Sequence, residues 1–156
     1  MSEFVETHLV KATFNPTGVT GERTQAAHPL AVYVPMNAII TRAYYDVITA
    51  FTSTAGGTGK ATIALHVKTA DDLVAAIAIE DVSVVWAAGV HGTLAGSPIL
   101  GSDAATETKC TAILYSAVRA TSMIKTDATY EVTATVGTCA LTGGKLNLYI
   151  EYIMST

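Results

Sequence analysis

The middle of the chain carries a strict two-residue alternation of apolar and more polar side chains, and this pattern most constrains the fold. An α-helix groups residues three and four apart on one face, whereas a β-strand turns successive side chains to opposite faces. Residues 61–68 therefore predict a strand that is buried on one side. Its expected core face holds the odd-numbered residues Ala61, Ile63, Leu65 and Val67.

Other segments rich in β-branched and aromatic residues predict further strands. These segments are residues 30–34, 38–52, 107–119, 130–136 and 146–152. Within the second segment, Tyr45 is expected to face the core and Tyr44 the solvent. The last two segments are expected to pair as a terminal hairpin across a turn at Thr142, Gly143 and Gly144.

These strands predict an all-β protein, a jelly-roll-like antiparallel β-sandwich with an extended N-terminal arm. The sandwich is expected to form one domain over residues 30–156. Residues 1–29 are expected to form the arm, with room for one short strand near Val5–Ala12, because much of this segment mixes Gly, Pro, Asn and Thr without apolar periodicity. Around Thr69 and Asp72 the sequence is compatible with either a helical turn or a strand.

Charged residues are scarce, at 14% of a chain in which 50% of the residues are hydrophobic. Average globular proteins carry roughly 25% charged residues, so part of the surface is expected to be buried in an assembly. The net charge of -4 and the wide separation of the arginines along the sequence argue against a nucleic-acid partner. Neither a secretory signal nor a membrane span is expected. Cys110 and Cys139 are expected to be free thiols.

A glycine-rich stretch resembles a phosphate-binding loop without meeting its requirements. Gly56, Gly57 and Gly59 precede Lys60, but the motif needs a different glycine spacing and a Ser or Thr after the lysine, where Ala61 stands. A strand also follows, in place of the helix N-terminus that would collect phosphates. The stretch is therefore interpreted as a hairpin turn.

Catalytic and metal-binding signatures are also incomplete. The four histidines are scattered without the spacing that places two imidazoles on one metal ion. Ser83, His91 and Asp103 are the residue types of a nucleophilic triad, but no nucleophile elbow accompanies them. The acidic residues lack calcium-loop spacing. We therefore expect a protein that is not an enzyme and that uses no cofactor and no metal.

Residues that could contact a partner come from the arm, from the outward strand faces and from the irregular stretch between residues 81 and 106. Tyr44 and Trp86 offer rings that stack on a partner or on a sugar. The candidate partner contacts are Phe4, Val5, Arg23, Arg42, Tyr44, Trp86 and His91.

Three segments carry a resemblance to a known class of proteins. They are NAIITRAYYDVITAFTS at 37–53, ATIALHVKTADDL at 61–73 and LTGGKLNLYIEY at 141–152. Together they resemble small β-rich virion proteins of tailed bacteriophages, the class that includes capsid decoration or cement proteins. The resemblance covers most of the chain from Pro35 onward, outside residues 80–102, and it concerns strands and turns with no catalytic motif.

The resemblance implies a jelly-roll-like sandwich that forms trimers, sits on the major capsid protein shell and clamps it against the packaged genome. The protein would then be soluble in the host cytoplasm before assembly and would lie on the capsid surface afterwards. Two other functions remain open from the sequence. One is another virion part, such as a tail or head-fibre protein, and the other is a carbohydrate-binding sandwich.

Overall fold

The computed structural model describes residues 5–55, 60–70, 72–79, 86–93 and 124–155. These ranges contain eight β-strands and a short 3-10 turn at Thr20–Arg23, which confirms the predicted all-β class. The strands are β1 (Thr7–Phe14), β2 (Ala27–Val34), β3 (Ala38–Ser53), β4 (Thr62–His66), β5 (Val74–Ala78), β6 (Gly89–Thr93), β7 (Tyr130–Gly137) and β8 (Leu141–Met154).

The strands form two four-stranded sheets that pack face to face. Sheet A has the order β1-β8-β3-β6 and sheet B the order β2-β7-β4-β5. Every pairing is antiparallel, and β1 pairs with β8, β2 with β7, β3 with β6 and β4 with β5. This strand order is that of a jelly roll. It arises when a long antiparallel ribbon rolls up so that successive strand pairs lie alternately in the two sheets. The predicted antiparallel sandwich is confirmed.

The predicted terminal hairpin is wrong. β7 lies between β2 and β4 in sheet B, whereas β8 lies between β1 and β3 in sheet A. The chain crosses between the sheets at residues 138–140, where Thr138 has a φ of 68°. Gly144 lies inside β8 at φ 131°, and a Cβ there would come within 2.1 Å of the Phe51 ring. This glycine therefore allows close packing inside a strand and does not make a turn.

The expectation that residues 1–29 form an arm outside the sandwich also needs correction. A short strand was allowed near residues 5–12, and β1 occupies that place. It pairs with β8 over eight consecutive residues, from Thr7 opposite Ile153 to Phe14 opposite Leu146. Phe14 is fully buried between the sheets. β1 is therefore part of the domain, because it supplies core side chains as well as backbone hydrogen bonds.

The predicted core face of β4 is confirmed, since Ala61, Ile63, Leu65 and Val67 are all buried, although Ala64 on the other face is buried as well. After β4 the chain makes a tight turn and continues as strand β5, so the helical alternative at Thr69 is excluded. Asp72 holds this turn together. Its carboxylate accepts backbone N–H bonds from Val67, Lys68 and Thr69 at 2.8–2.9 Å.

The residues of β3 that face the core switch from even to odd numbers at a bulge near the start of the strand. Ala38 and Ile40 face the core before the bulge, while Ala43 and Tyr45 face it afterwards. The register with β8 shifts between Ile40 and Arg42, so that one extra residue is accommodated there. Such an insertion reverses the alternation of side chains. It leaves the remaining inward residues of this long strand in phase with the core.

Several predictions concern residues outside the described ranges. They are the strand at 107–119, the thiol of Cys110, the glycines at 56, 57 and 59, the residues Ser83 and Asp103, and the candidate contact Phe4. Within the described part of the chain, Cys139 is a free cysteine.

Candidate interaction surface

A row of aromatic and cationic side chains crosses the outer face of sheet A. Tyr44 on β3 lies opposite Tyr149 on β8, and Tyr149 lies opposite Lys11 on β1. The tyrosine rings stack with their centroids 4.9 Å apart. The guanidinium of Arg42 lies 5.0 Å from the centroid of Tyr44, and the ammonium of Lys11 lies 5.9 Å from that of Tyr149. We call Lys11, Tyr149, Tyr44 and Arg42 the aromatic row.

The aromatic row confirms the outward orientation predicted for Tyr44 and explains why Arg42 stands beside it. Arg42 follows the bulge in β3, which turns it to the outer face together with Tyr44. A cation over a tyrosine ring is attracted by the negative face of the ring. Both rings are half-buried and both cations are exposed on the protein surface. The row therefore offers flat aromatic area and positive charge to a partner.

Trp86 lies in the core, which corrects its prediction as a partner contact. Its side chain is only 3% exposed, and its indole N–H donates to the Ile77 carbonyl at 3.1 Å. The ring packs against Tyr45 at 5.5 Å and meets the edge of Phe51 at 6.0 Å. A large ring with its only donor satisfied is well suited to such a place.

His91 on β6 is half-buried at the margin of the same cluster. Its ring stacks on Tyr45, with centroids 5.1 Å apart, and its Nε2 lies 2.8 Å from the Ala87 carbonyl oxygen. The imidazole is thus held in place by a ring and by the backbone. The structure brings His91 and Trp86 together through Tyr45, but on the inner side of sheet A and away from the aromatic row.

Arg23 acts within the β1–β2 connection. Its Nε donates to the Pro16 carbonyl at 2.6 Å, and its Nη2 donates to the Thr17 carbonyl at 3.2 Å. The neighbouring Glu22 carboxylate accepts the backbone N–H of Asn15. The guanidinium therefore stabilises the connection, whereas Arg23 was predicted to contact a partner from the arm.

Val5 precedes β1 and is 63% exposed, as expected for a contact residue. It belongs to a set of large apolar side chains on the surface. Such side chains mark a contact area where they form a contiguous patch, whereas singly scattered ones are ordinary on protein surfaces. The set comprises Val5, Leu9, Val19, Tyr33, Met36, Ile48, Val90 and Met154.

The outer face of sheet B was missed by the sequence analysis. Beyond Glu131, which lies opposite Tyr33 at the start of β7, the outward positions in register across β2, β7 and β4 carry no Asp, Glu, Lys or Arg. The signal was present in the sequence, because these positions are mostly Thr and Ala where solvated strands often carry charges. We call the following residues the uncharged face: Ala27, Pro29, Thr62, Ala64, His66, Thr133 and Thr135.

One charged cluster lies where β7 begins. The Asp127 carboxylate accepts a hydrogen bond from the Tyr130 hydroxyl at 2.6 Å and a salt bridge from Lys68 at 3.1 Å. The hydrogen bond from Tyr130, followed by that from Lys68, lowers the pKa of Asp127 below its usual value. The same hydrogen bond raises the pKa of Tyr130. The cluster is exposed and joins the β4–β5 turn to β7.

Within the described ranges, no three His, Cys, Asp or Glu side chains gather closely enough to hold a metal ion. Over the same residues, the chain contains no helix that is long and apolar enough to cross a membrane. Three features characterise the described surface: the aromatic row, the uncharged face and the exposed apolar side chains.

No protein-family model matches the sequence, and no curated protein matches it significantly. Three solved structures share its fold. A chain of the cyanophage Pam1 capsid asymmetric unit has a TM-score of 0.58 at 13% identity, covering 97% of this chain and 86% of that one. A chain of the Ralstonia phage GP4 capsid has a TM-score of 0.55 at 17% identity, with coverages of 100% and 88%.

The third similar structure is the acidic stable capsid of Helicobacter pylori bacteriophage KHP30. One of its chains has a TM-score of 0.54 at 12% identity, and the match covers 96% of this chain and 89% of that one. At such low identities the likeness establishes a shared fold. Because the coverage is high in both directions, each matched chain is close in length to this protein.

Proposed function

We propose that the protein is a bacteriophage capsid decoration protein that binds the outer surface of the major capsid protein shell as a trimer and stabilises the capsid. The observation that carries the proposal is the similarity along nearly the whole chain to three chains from phage capsids. The similarity extends over 96–100% of this chain and 86–89% of the matched chains.

The surface supports a role in an assembly. Only 14% of the residues are charged, and the uncharged face is a part of the outer side of sheet B that is depleted in charge, as the centres of protein interfaces are. Eight large apolar side chains are exposed on the described surface. A protein that buries part of such a surface against neighbours removes apolar area from water.

Stabilisation of a shell needs no strong single contact. Each bound copy stabilises the assembled state by mass action, because it binds the assembled shell and not the separated subunits. A trimer also engages several sites at once, which raises its effective affinity. Many modest contacts, repeated by the symmetry of a shell, therefore suffice to oppose internal pressure.

The proposed role requires no catalysis, and two polar side chains of the described residues have structural partners. His91, which was the candidate base of a triad, stacks on Tyr45 and lies against the Ala87 carbonyl. Both carboxylate oxygens of Asp72 accept hydrogen bonds from the backbone of its own turn. These groups are engaged in holding the fold.

Native mass spectrometry followed by capsid co-sedimentation tests the proposal. We expect the purified protein to be a trimer and to sediment with expanded capsids of the phage that encodes it. Capsids loaded with the protein are expected to release their DNA at a higher temperature than bare capsids. A stable monomer that does not sediment with those capsids would overturn the proposal.

Another virion location is the main alternative, since folds move between structural proteins more readily than locations do. Gold-labelled antibodies against the protein distinguish the two on intact virions. Label spread over the head supports the decoration role, while label confined to the tail or to head fibres excludes it. The carbohydrate-binding alternative relied on the rings of Tyr44 and Trp86, and Trp86 is buried.

A further inference from the structure

Among the described residues the two sheets end in four edge strands, and three of them carry features that oppose pairing with another strand. β2 contains Pro29, and its register shifts around Ala31, whose φ is 56°. Proline and bulges are the devices by which proteins protect a sheet edge. β5 and β6 are short, with five residues each, and β6 begins with Gly89 at φ 130°.

β1 is the exception. It keeps one continuous register with β8 over eight residues, without a bulge, a proline or a glycine. In the described part of the chain it pairs with β8 on one side only. A long regular strand with a free side presents a row of N–H and C=O groups in the geometry that a further strand needs. This edge is therefore open to strand addition.

The side chains of β1 suit an incoming strand. On the outer face, Leu9 is 56% exposed and is followed two residues later by the exposed Lys11. On the inner face, Val10 packs against the core but remains partly exposed. Directly opposed side chains on neighbouring strands interact, and opposite charges and apolar pairs are favourable. The edge thus prefers a strand with an acidic residue opposite Lys11 and an apolar residue opposite Leu9.

We propose that the free edge of β1 is a docking site that accepts an extended segment of the shell protein as a fifth strand of sheet A. The inference rests on the proposed capsid role and names the contact through which it acts. The segment would be apolar on the side that covers Val10 and would carry a carboxylate toward Lys11. Its backbone would complete the hydrogen bonds that β1 leaves open.

A second copy of this chain fits the edge less well. Antiparallel pairing of two β1 strands requires a twofold axis, which a trimer does not contain. Pairing centred on Lys11 would also bring two lysines directly opposite each other, which is unfavourable. A segment from a different protein meets neither obstacle.

Hydrogen–deuterium exchange of the full-length protein tests the inference. The protein is compared free and bound to capsids of its own phage that were assembled without it. We expect slower exchange at residues 7–14 in the bound state, because the outward amides of β1 gain partners. The matched control is β5 at residues 74–78, an edge strand of the other sheet, where exchange should not change.

Two variants give an independent readout. Leu9→Lys and Lys11→Glu change exposed side chains beside the edge and are expected to weaken capsid binding by about tenfold each, since they introduce a charge or reverse one next to the added strand. The control is Ala76→Lys on β5, an exposed position on an edge strand of the other sheet. It is expected to bind as the unchanged protein does.

The outcomes separate this inference from the proposed function. Capsid binding with unchanged exchange at residues 7–14, or equal binding of Leu9→Lys and Ala76→Lys, overturns the β1 contact and leaves the capsid role standing. Protection of residues 7–14 that appears in the free protein as its concentration rises shows that a second copy occupies the edge, which also overturns it. Absence of any capsid binding overturns both.

Discussion

Tyr44 and Tyr149 stack face to face on the outer side of sheet A, with their centroids 4.9 Å apart and their planes inclined by 14°. The two residues lie directly opposite each other on β3 and β8, the two central strands of the sheet. An aromatic pair at this place links the strands through side chains as well as through the backbone. Because both rings are half-buried and face outward, the pair contributes to stability and remains accessible to a partner.

A double-mutant cycle measures this link. Tyr44→Ala and Tyr149→Ala are each expected to lower the free energy of unfolding, and the pair should show a coupling of about 0.5–1.5 kcal/mol. Chemical denaturation of the four proteins gives the values. As a control, Tyr44→Ala combined with Thr133→Ala in the other sheet should be additive. A coupling of zero between the tyrosines would show that the stack adds nothing beyond the area it buries.

Phe14→Ala should be strongly destabilising although it lies in the segment predicted as an arm. Phe14 is fully buried and stacks on His28 at 5.9 Å and on Phe51 at 6.0 Å. Removing a buried phenylalanine side chain costs about 3–5 kcal/mol. The exposed Leu9 on the same strand is the matched control, and Leu9→Ala should cost no more than about 1 kcal/mol. Cooperative unfolding at an unchanged midpoint in a chain that lacks residues 1–14 would contradict this assignment of β1 to the core.

Leu148→Asp tests the inward face of β8. Leu148 is fully buried, so the substitution places an unpaired carboxylate in the core and should cost several kcal/mol, on the order of 3–5. The neighbouring Asn147 faces outward and accepts a hydrogen bond from the Thr13 hydroxyl at 2.9 Å. Asn147→Ser keeps an acceptor oxygen there without placing a second carboxylate opposite Asp46, and should change the melting temperature little. Equal melting temperatures for the two variants would mean that the faces of β8 are assigned wrongly.

The pH dependence of stability should carry a contribution from Asp127 and Tyr130. The pKa of Asp127 is lowered in the folded protein, mainly by the hydrogen bond from Tyr130. Its contribution is therefore present above the unfolded pKa, near 3.8, and is lost as the pH falls through the lower folded pKa. The raised pKa of Tyr130 gives a contribution that is present below 10.0 and is lost as the pH rises through the folded pKa.

Nuclear magnetic resonance titration of the Asp127 carboxyl group checks this assignment. In Tyr130→Phe the hydroxyl donor is gone, and the pKa of Asp127 should rise toward its ordinary value. Lys68→Met should raise it less, because the hydrogen bond from Lys68 is the second cause of the shift. An unchanged pKa in Tyr130→Phe would show that the 2.6 Å contact is not maintained in solution.

The orientation of side chains could be predicted wherever the alternation was regular. Ile63 and Leu65 are buried as expected, and Tyr45 and Tyr44 face inward and outward as expected. Trp86 could not be placed, because it lies in an irregular stretch without periodicity. Its burial depends on Tyr45 and Phe51 from a distant strand and on a carbonyl of Ile77. The residues around Trp86 in the sequence therefore do not indicate that its side chain is buried.

The contact surface was predicted only in part for the same reason. Arg42 and Tyr44 were recognised from their outward phase on one strand. Their partners Tyr149 and Lys11 lie far away in the sequence and join them only through the register of β8 with its two neighbours. Arg23 was expected to contact a partner, but its guanidinium donates hydrogen bonds to two carbonyl oxygens of the folded β1–β2 connection.

The sequence by itself determined that this protein is built from strands and which face of each regular strand is apolar, because the pleat of a strand turns alternate side chains to opposite sides regardless of its neighbours. Only the tertiary structure decided which strands pair. β7 and β8 follow each other in the chain yet lie in different sheets, and β1 joins β8 across most of its length. Backbone hydrogen bonds are chemically alike at every residue, so the same alternation fits many strand orders, and the packing of Phe14, Phe51 and Gly144 between the sheets helps to select one.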